Sequence, residues 1–159
     1  LGSVDGLGNI ETELNQKPVA EIKITNTYDS NSRVLKSSIV VNPLQDYTGQ
    51  LKLTALIIES HIIDTQIDNT EYKLDYEHNH VFRQLLSDIN GDLLNTQLRI
   101  GEPISKEYQF TLPAEAGWWK AENCEVVAFL SDYALQPTVS NQKLNAGYVL
   151  QAASHGVTE

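Results

Sequence analysis

Leu51-Lys52-Leu53-Thr54-Ala55-Leu56-Ile57-Ile58 decides the fold class. Leu51, Leu53, Ala55 and Ile57 share one parity, which places them on one face of an extended strand, while Lys52 and Thr54 take the other. Leu56 and Ile58 make the far half apolar on both faces, the pattern of a central strand covered on both sides. Upstream, Ala20, Ile22 and Ile24 alternate with Glu21, Lys23 and Thr25, and Val34 to Val41 forms a β-branched run closed by Asn42-Pro43. Downstream, His80 to Ser87 is a fourth segment, although Val81 with Leu85 and Phe82 with Leu86 would also suit a helical turn. Asn90-Gly91 and Asp92 mark a turn, and Leu94, Leu98 and Ile100 suggest a fifth strand. Tyr108, Phe110 and Leu112 alternate with Glu107, Gln109 and Thr111 in a sixth, which Pro113 ends. Cys124 to Ser131 is the seventh and Tyr148 to Ala153 the eighth.

About eight short strands, turn signals between them and no long amphipathic helix predict an all-β chain. The expected architecture is an antiparallel β-sandwich, immunoglobulin-like or jelly-roll, without the Cys-Trp-Cys spacing of antibody domains. Residues 18–159 make up the sandwich domain; residues 1–17, rich in Gly, Asn and small polar residues, read as a flexible arm or linker. The 159 residues are 41% hydrophobic and 20% charged, an ordinary globular composition. A net charge of -10, with the 11 Lys and Arg scattered, excludes nucleic acid as the natural partner. It also disfavours an anionic membrane surface. Cys124 is the one cysteine, so no intrachain disulfide forms, and its apolar neighbours make it a buried small hydrophobe. Methionine is absent, even at position 1, as expected of a processed or excised chain.

Tyr76-Glu77-His78-Asn79-His80-Val81-Phe82-Arg83 carries two of the four histidines. In an extended strand His78 and His80 point the same way, so both imidazoles reach one ion. Zinc needs further ligands. Glu77 has the opposite parity, Asp75 or Glu77 would join only through a bend, and His61 would come from another strand. The residues therefore favour a structural corner, in which the histidines bond loop backbone and Asn79 bridges a turn. No metal and no cofactor are assigned. Arg83 takes the opposite parity to His80, and Glu59, at the end of the Leu51 strand, is its expected ion-pair partner. Asp88, Asn90 and Asp92 have calcium-loop spacing, but Gly91 comes too early and the twelfth position is Arg99, so an ordinary turn is expected.

Gly117-Trp118-Trp119 falls in a predicted loop. Adjacent aromatics point opposite ways, so one ring plugs the core while the other is free to bind. Trp118, Trp119, Tyr76 and Tyr133 are the candidate ligand-binding rings, with Tyr47 and Tyr72 also near loops; sugars stack on such rings, and core packing is the plainer reading. Neither a G-x-S-x-G elbow, a P-loop, a G-x-G-x-x-G loop nor an H-E-x-x-H pair is present, so no catalytic residue is named.

The run from Tyr76 to Arg83 resembles the aromatic-x-His-Asn-His-Val-x-Arg segment of the twenty-eight-kilodalton outer-membrane lipoprotein family of Bacteroidetes. The likeness continues to Gly91 and resumes at Val126 to Leu130 and Val149 to Ala152. The resemblance implies an exported β-sandwich of the outer membrane or cell surface, or of the periplasm. It usually forms the C-terminal part of a lipoprotein and in related proteins can follow a thioredoxin-like domain. It carries over no catalytic residue, and the lipid-acceptor cysteine is absent from this chain, so the membrane would be met only through an anchor elsewhere. The expectation is a non-catalytic envelope module for protein interaction or spacing, with a protein or a glycan as partner. Carbohydrate binding through loop Trp and Tyr residues is the alternative, and a His-dependent metal site or enzyme is a third.

Overall fold

The structure is a computed structural model that describes residues 17–69, 71–94, 97–114, 119–133, 138–139, 142–143 and 148–159. Strands run in the order β1 (Ala20–Asp29), β2 (Val34–Pro43), β3 (Tyr47–Thr48), β4 (Leu51–Glu59), β5 (Ile62–Asp68), β6 (Glu71–His78) and β7 (Val81–Leu85). They continue with β8 (Asp92–Leu93), β9 (Gln97–Leu98), β10 (Ile104–Thr111), β11 (Cys124–Asp132), β12 (Thr138–Val139), β13 (Gln142–Lys143) and β14 (Tyr148–Gly156). A 3-10 turn, Ala121–Asn123, precedes β11. One sheet has the order β1-β2-β10 and the other β14-β11-β4-β7, with β8 also on β4; the pairs β3-β9, β5-β6 and β12-β13 stand apart. The paired strands are antiparallel, so the chain is an all-β antiparallel sandwich.

Period-two patterning sorts residues between core and water. Ile22, Ile24, Leu35, Ile39 and Val41 of the first sheet and Leu51, Leu53, Ala55, Ile57, Val126, Ala128 and Leu130 of the second are buried in one cluster. Each large aliphatic side chain so buried stabilises the fold by about 1.5–3 kcal/mol. β4 is central, between β11 and β7, which explains why Leu56 and Ile58 on its outer face are also half-buried. The sheets are stitched where β1 meets β14. Asn26 Nδ2 donates to the carbonyls of His155 (3.2 Å) and Gly156 (2.8 Å), and Gln151 Nε2 donates to that of Ala20 (3.2 Å).

Several expectations are corrected. Where about eight strands are expected, the described residues form fourteen, five of them only two residues long. The fifth strand splits in two: Asp92–Leu93 pairs with β4, Gln97–Leu98 pairs with β3, and Ile100 is exposed. His80 to Ser87 holds a strand, not a helical turn, because β4 offers Leu56–Glu59 as its hydrogen-bonding edge. The arm expected at residues 1–17 lies outside the described residues, apart from Lys17.

At the Leu51 end of β4, Asp132 is 2% exposed. Its carboxylate accepts the Tyr47 hydroxyl at 2.7 Å and the Gln50 backbone N–H at 2.9 Å. Gly49 passes so close that an added Cβ would sit 2.3 Å from Asp132 Oδ2. Gly49→Ala is therefore expected to cost about 1–3 kcal/mol, as overpacking against a fixed group does. A urea midpoint equal to that of the parent would contradict this close approach.

Candidate functional site

The segment between β4 and β7 forms a hairpin that the sandwich does not cover. Its register pairs Ile62 with His78, Ile63 with Glu77, Asp64 with Tyr76, Gln66 with Lys73 and Ile67 with Tyr72, with an irregularity between Asp64 and Gln66. Directly paired residues share a face, and alternate residues of a strand do too. Tyr72, Leu74, Tyr76 and His78 therefore lie on one face with Ile62, Asp64 and Ile67. Glu71, Lys73, Asp75 and Glu77 lie on the other with Ile63.

An amphipathic hairpin normally buries its apolar face. Here Ile67 is 59% exposed, Tyr72 69% and Leu74 73%. No residue of β5 or β6 belongs to the core cluster. With Tyr76, these side chains leave roughly 500 Å² open at about 200 Å² each, the upper end of the largest patches on soluble monomers. At its root the face runs into an open cleft of about 500 Å³ lined by Ile62, His78, Val81 and Arg83. The Tyr76 and His78 rings meet edge-on at 4.9 Å.

The neck of the hairpin is made by the histidine run and its neighbours. His61 (φ 57°) and His80 (φ 55°) both adopt the left-handed conformation, one on each crossing chain. That conformation costs a non-glycine residue about 1–2 kcal/mol. Reciprocal bonds hold the two chains together: the His61 N–H donates to Asn79 Oδ1 (3.0 Å), and the His80 N–H to Ser60 Oγ (3.1 Å). His61 Nδ1 also lies 2.5 Å from Glu77 Oε1. The two kinks interrupt the β4-β7 ladder before β5-β6 begins. The extended-strand premise for His78 and His80 therefore does not hold, since β6 ends at His78 and the chain turns left-handed at His80. Among the described residues no three His, Cys, Asp or Glu side chains are grouped to hold a metal ion.

Beneath the neck, Glu59 is 3% exposed. Arg83 Nε donates to its Oε2 at 2.8 Å, and the Lys120 backbone N–H donates to its Oε1 at 2.9 Å. The Arg83 guanidinium lies 5.6 Å from the centre of the Trp119 ring, which packs tilted on Phe110 at the same centroid distance. Trp119 is half-buried and itself left-handed (φ 59°), and its carbonyl accepts Arg33 Nη2 at 2.8 Å. Cys124 pairs with Glu59 in the ladder, and burial, reinforced by the Glu59 charge, pushes its thiol up to about 12.

The alkaline behaviour of the fold follows from that shift. An unfolded chain ionises its thiol near 9 and the folded one near 12, so this contribution to stability is fully present below about pH 9. It is lost as pH rises towards 12. The Tyr47 hydroxyl, raised to about 12 by burial and the Asp132 contact, adds to the loss above pH 10. Urea midpoints measured from pH 8 to 11 should fall, and Cys124→Ala should shallow the fall. A parent midpoint independent of pH would contradict the buried neutral thiol.

The aromatic candidates are not brought together. Trp119 lies near the Glu59 end of β4, while Tyr133 follows β11 at the Leu51 end, its N–H on the Gln50 carbonyl and its ring 4.4 Å from Lys52 Nζ. Eight strand residues of about 3.3 Å each separate those ends by roughly 25 Å. Trp118 lies outside the described residues, and Tyr76 is on the hairpin. At the Asp88-Asn90-Asp92 turn, Asp88 Oδ1 accepts the Asn90 N–H at 2.8 Å. Asp92 accepts the Asp88 N–H (3.0 Å) and the Tyr108 hydroxyl (2.7 Å), and Gly91 supplies the left-handed residue with φ 75°. The hairpin escaped sequence reasoning, although Tyr72, Leu74, Tyr76 and His78 alternate strictly with Glu71, Lys73, Asp75 and Glu77.

Residues 3–146 match the protein family described as outer membrane protein Omp28. In structure the chain is similar to HBP35 of Porphyromonas gingivalis, with a TM-score of 0.64 and 16% identity over 94% of this chain. It spans 44% of that protein's length, and at such identity the likeness shows the fold alone. No curated protein matches.

Proposed function

This chain belongs to the Omp28 family of outer membrane proteins, and from that premise we propose that it is a non-catalytic module of the cell envelope that binds another protein through the β5–β6 hairpin. Family membership supports an outer-membrane location, and export to the cell surface is part of the proposal. The uncovered apolar face of Ile67, Tyr72, Leu74 and Tyr76 carries the reading. A strand pair with one apolar and one charged face has the patterning of a buried element, and nothing in the described part of its own chain buries it. The neck explains how it is held outward: two left-handed residues cost free energy, and the Ser60–His80 and His61–Asn79 bonds offset that cost.

Tyr72 and Tyr76 also favour a second reading, in which their exposed rings stack on a sugar. Ile67 and Leu74 share the face and present branched alkyl groups in place of flat planes, so protein is the preferred partner. A photoreactive amino acid at position 74 of the protein in its own envelope separates the two. A discrete protein adduct is the expected product. A glycan adduct would select the sugar reading, and no adduct would defeat both.

A further inference from the structure

We infer, building on that interaction reading, that the hairpin docks a basic protein whose apolar groove is rimmed by Lys and Arg. Residues 62–78 hold five acidic residues, Asp64, Asp68, Glu71, Asp75 and Glu77, against Lys73, a net charge of -4 on a chain of net -10. Asp64 stands on the apolar face itself, paired with Tyr76. Glu71, Asp75 and Glu77 are exposed on the reverse of β6, each one residue from an apolar contact. An apolar groove closing over Tyr72 and Leu74 thus meets a carboxylate within its footprint and two more, Glu71 and Asp75, along its border, while Glu77 is engaged by His61. Covering Asp64 without a cation would strand a charge in a dry contact, so the complementary surface must supply one.

Other occupants fit less well. A second copy would set -4 against -4. An anionic lipid surface meets the same repulsion. A basic groove turns the acidic border into steering and register.

Three probes test this with the whole chain: a strand peptide of alternating Lys and Leu, its Glu-and-Leu counterpart, and vesicles of neutral and anionic phospholipid. The Lys peptide should bind, and its affinity should fall at least about tenfold between about 50 and 300 mM salt. Tyr72→Ser with Leu74→Ser keeps every charge, and Asp64→Asn with Asp75→Asn keeps every apolar contact; each pair should weaken binding by about tenfold or more. Full binding by the serine pair would reduce the effect to non-specific charge attraction and overturn the inference. So would equal binding of the Glu peptide, preference for vesicles, concentration-dependent dimerisation or no binding of the Lys peptide. In every one of those cases the cross-link from position 74 still reports independently whether a protein docks on the hairpin.

Discussion

Arg83→Ala is expected to cost about 3–5 kcal/mol of folding stability, the loss that follows when one partner of a buried ion pair is removed. Glu59 is 3% exposed and its Oε2 takes Arg83 Nε at 2.8 Å. Without the guanidinium the carboxylate, itself almost fully buried, keeps the Lys120 N–H but has lost its countercharge. The Trp119 ring loses its cation as well, and the left-handed backbone beneath it loses a neighbour that fixes it. Replacing both partners, Glu59→Gln with Arg83→Met, should recover part of the loss, because an apolar and amide pair carries no stranded charge. Equilibrium urea unfolding followed by tryptophan fluorescence measures both variants. A loss below about 1 kcal/mol for Arg83→Ala would mean that the pair is solvated.

Tyr72→Ser with Leu74→Ser is expected to act in the opposite sense. Both side chains stand on the exposed hairpin face, 69% and 73% accessible, so stability should change by less than about 1 kcal/mol. Partner affinity should fall at least about thirtyfold, because central apolar anchors of an interface are worth about 2 kcal/mol or more. The two variants together separate the two parts of the histidine-run region. Arg83 below the neck supports the sandwich, and the hairpin above it meets the partner. A serine pair that bound its partner normally would assign the contact to another surface.

Much of the sandwich is readable from alternation. Ala20, Ile22 and Ile24, then Leu51, Leu53, Ala55 and Ile57, fall on the buried side because a strand's period leaves them nowhere else to go. The Glu59–Arg83 contact was also legible, since a charge at the end of an apolar strand needs a countercharge. Other features resist such reading. β3, β8, β9, β12 and β13 are two residues each, too short to carry a period. β5 begins with adjacent Ile62 and Ile63, and its irregular register at Asp64 to Gln66 blurs the alternation. β6 alternates strictly, yet its last members, Tyr76 and His78, invite a ligand reading that masks it. The left-handed backbone of Trp119 has no sequence mark, and that of His61 and His80 only a faint one, because histidine enters this conformation more often than most residues but far less regularly than glycine. Kinking two paired chains at once, in the space of Ser60-His61 and Asn79-His80, is a tertiary event.

Thiol labelling of a Leu74→Cys variant is the most direct test of the hairpin as a docking face. Cys124 is buried, with its thiol held near 12, and stays silent to maleimide at neutral pH. In the purified protein the introduced thiol should react at the rate of a free cysteine. In intact outer membranes carrying the natural partner its reaction should slow by at least about tenfold, and the Asp64→Asn and Asp75→Asn changes should restore it. Equal reactivity in the two settings would show that nothing covers this face and would contradict the docking role.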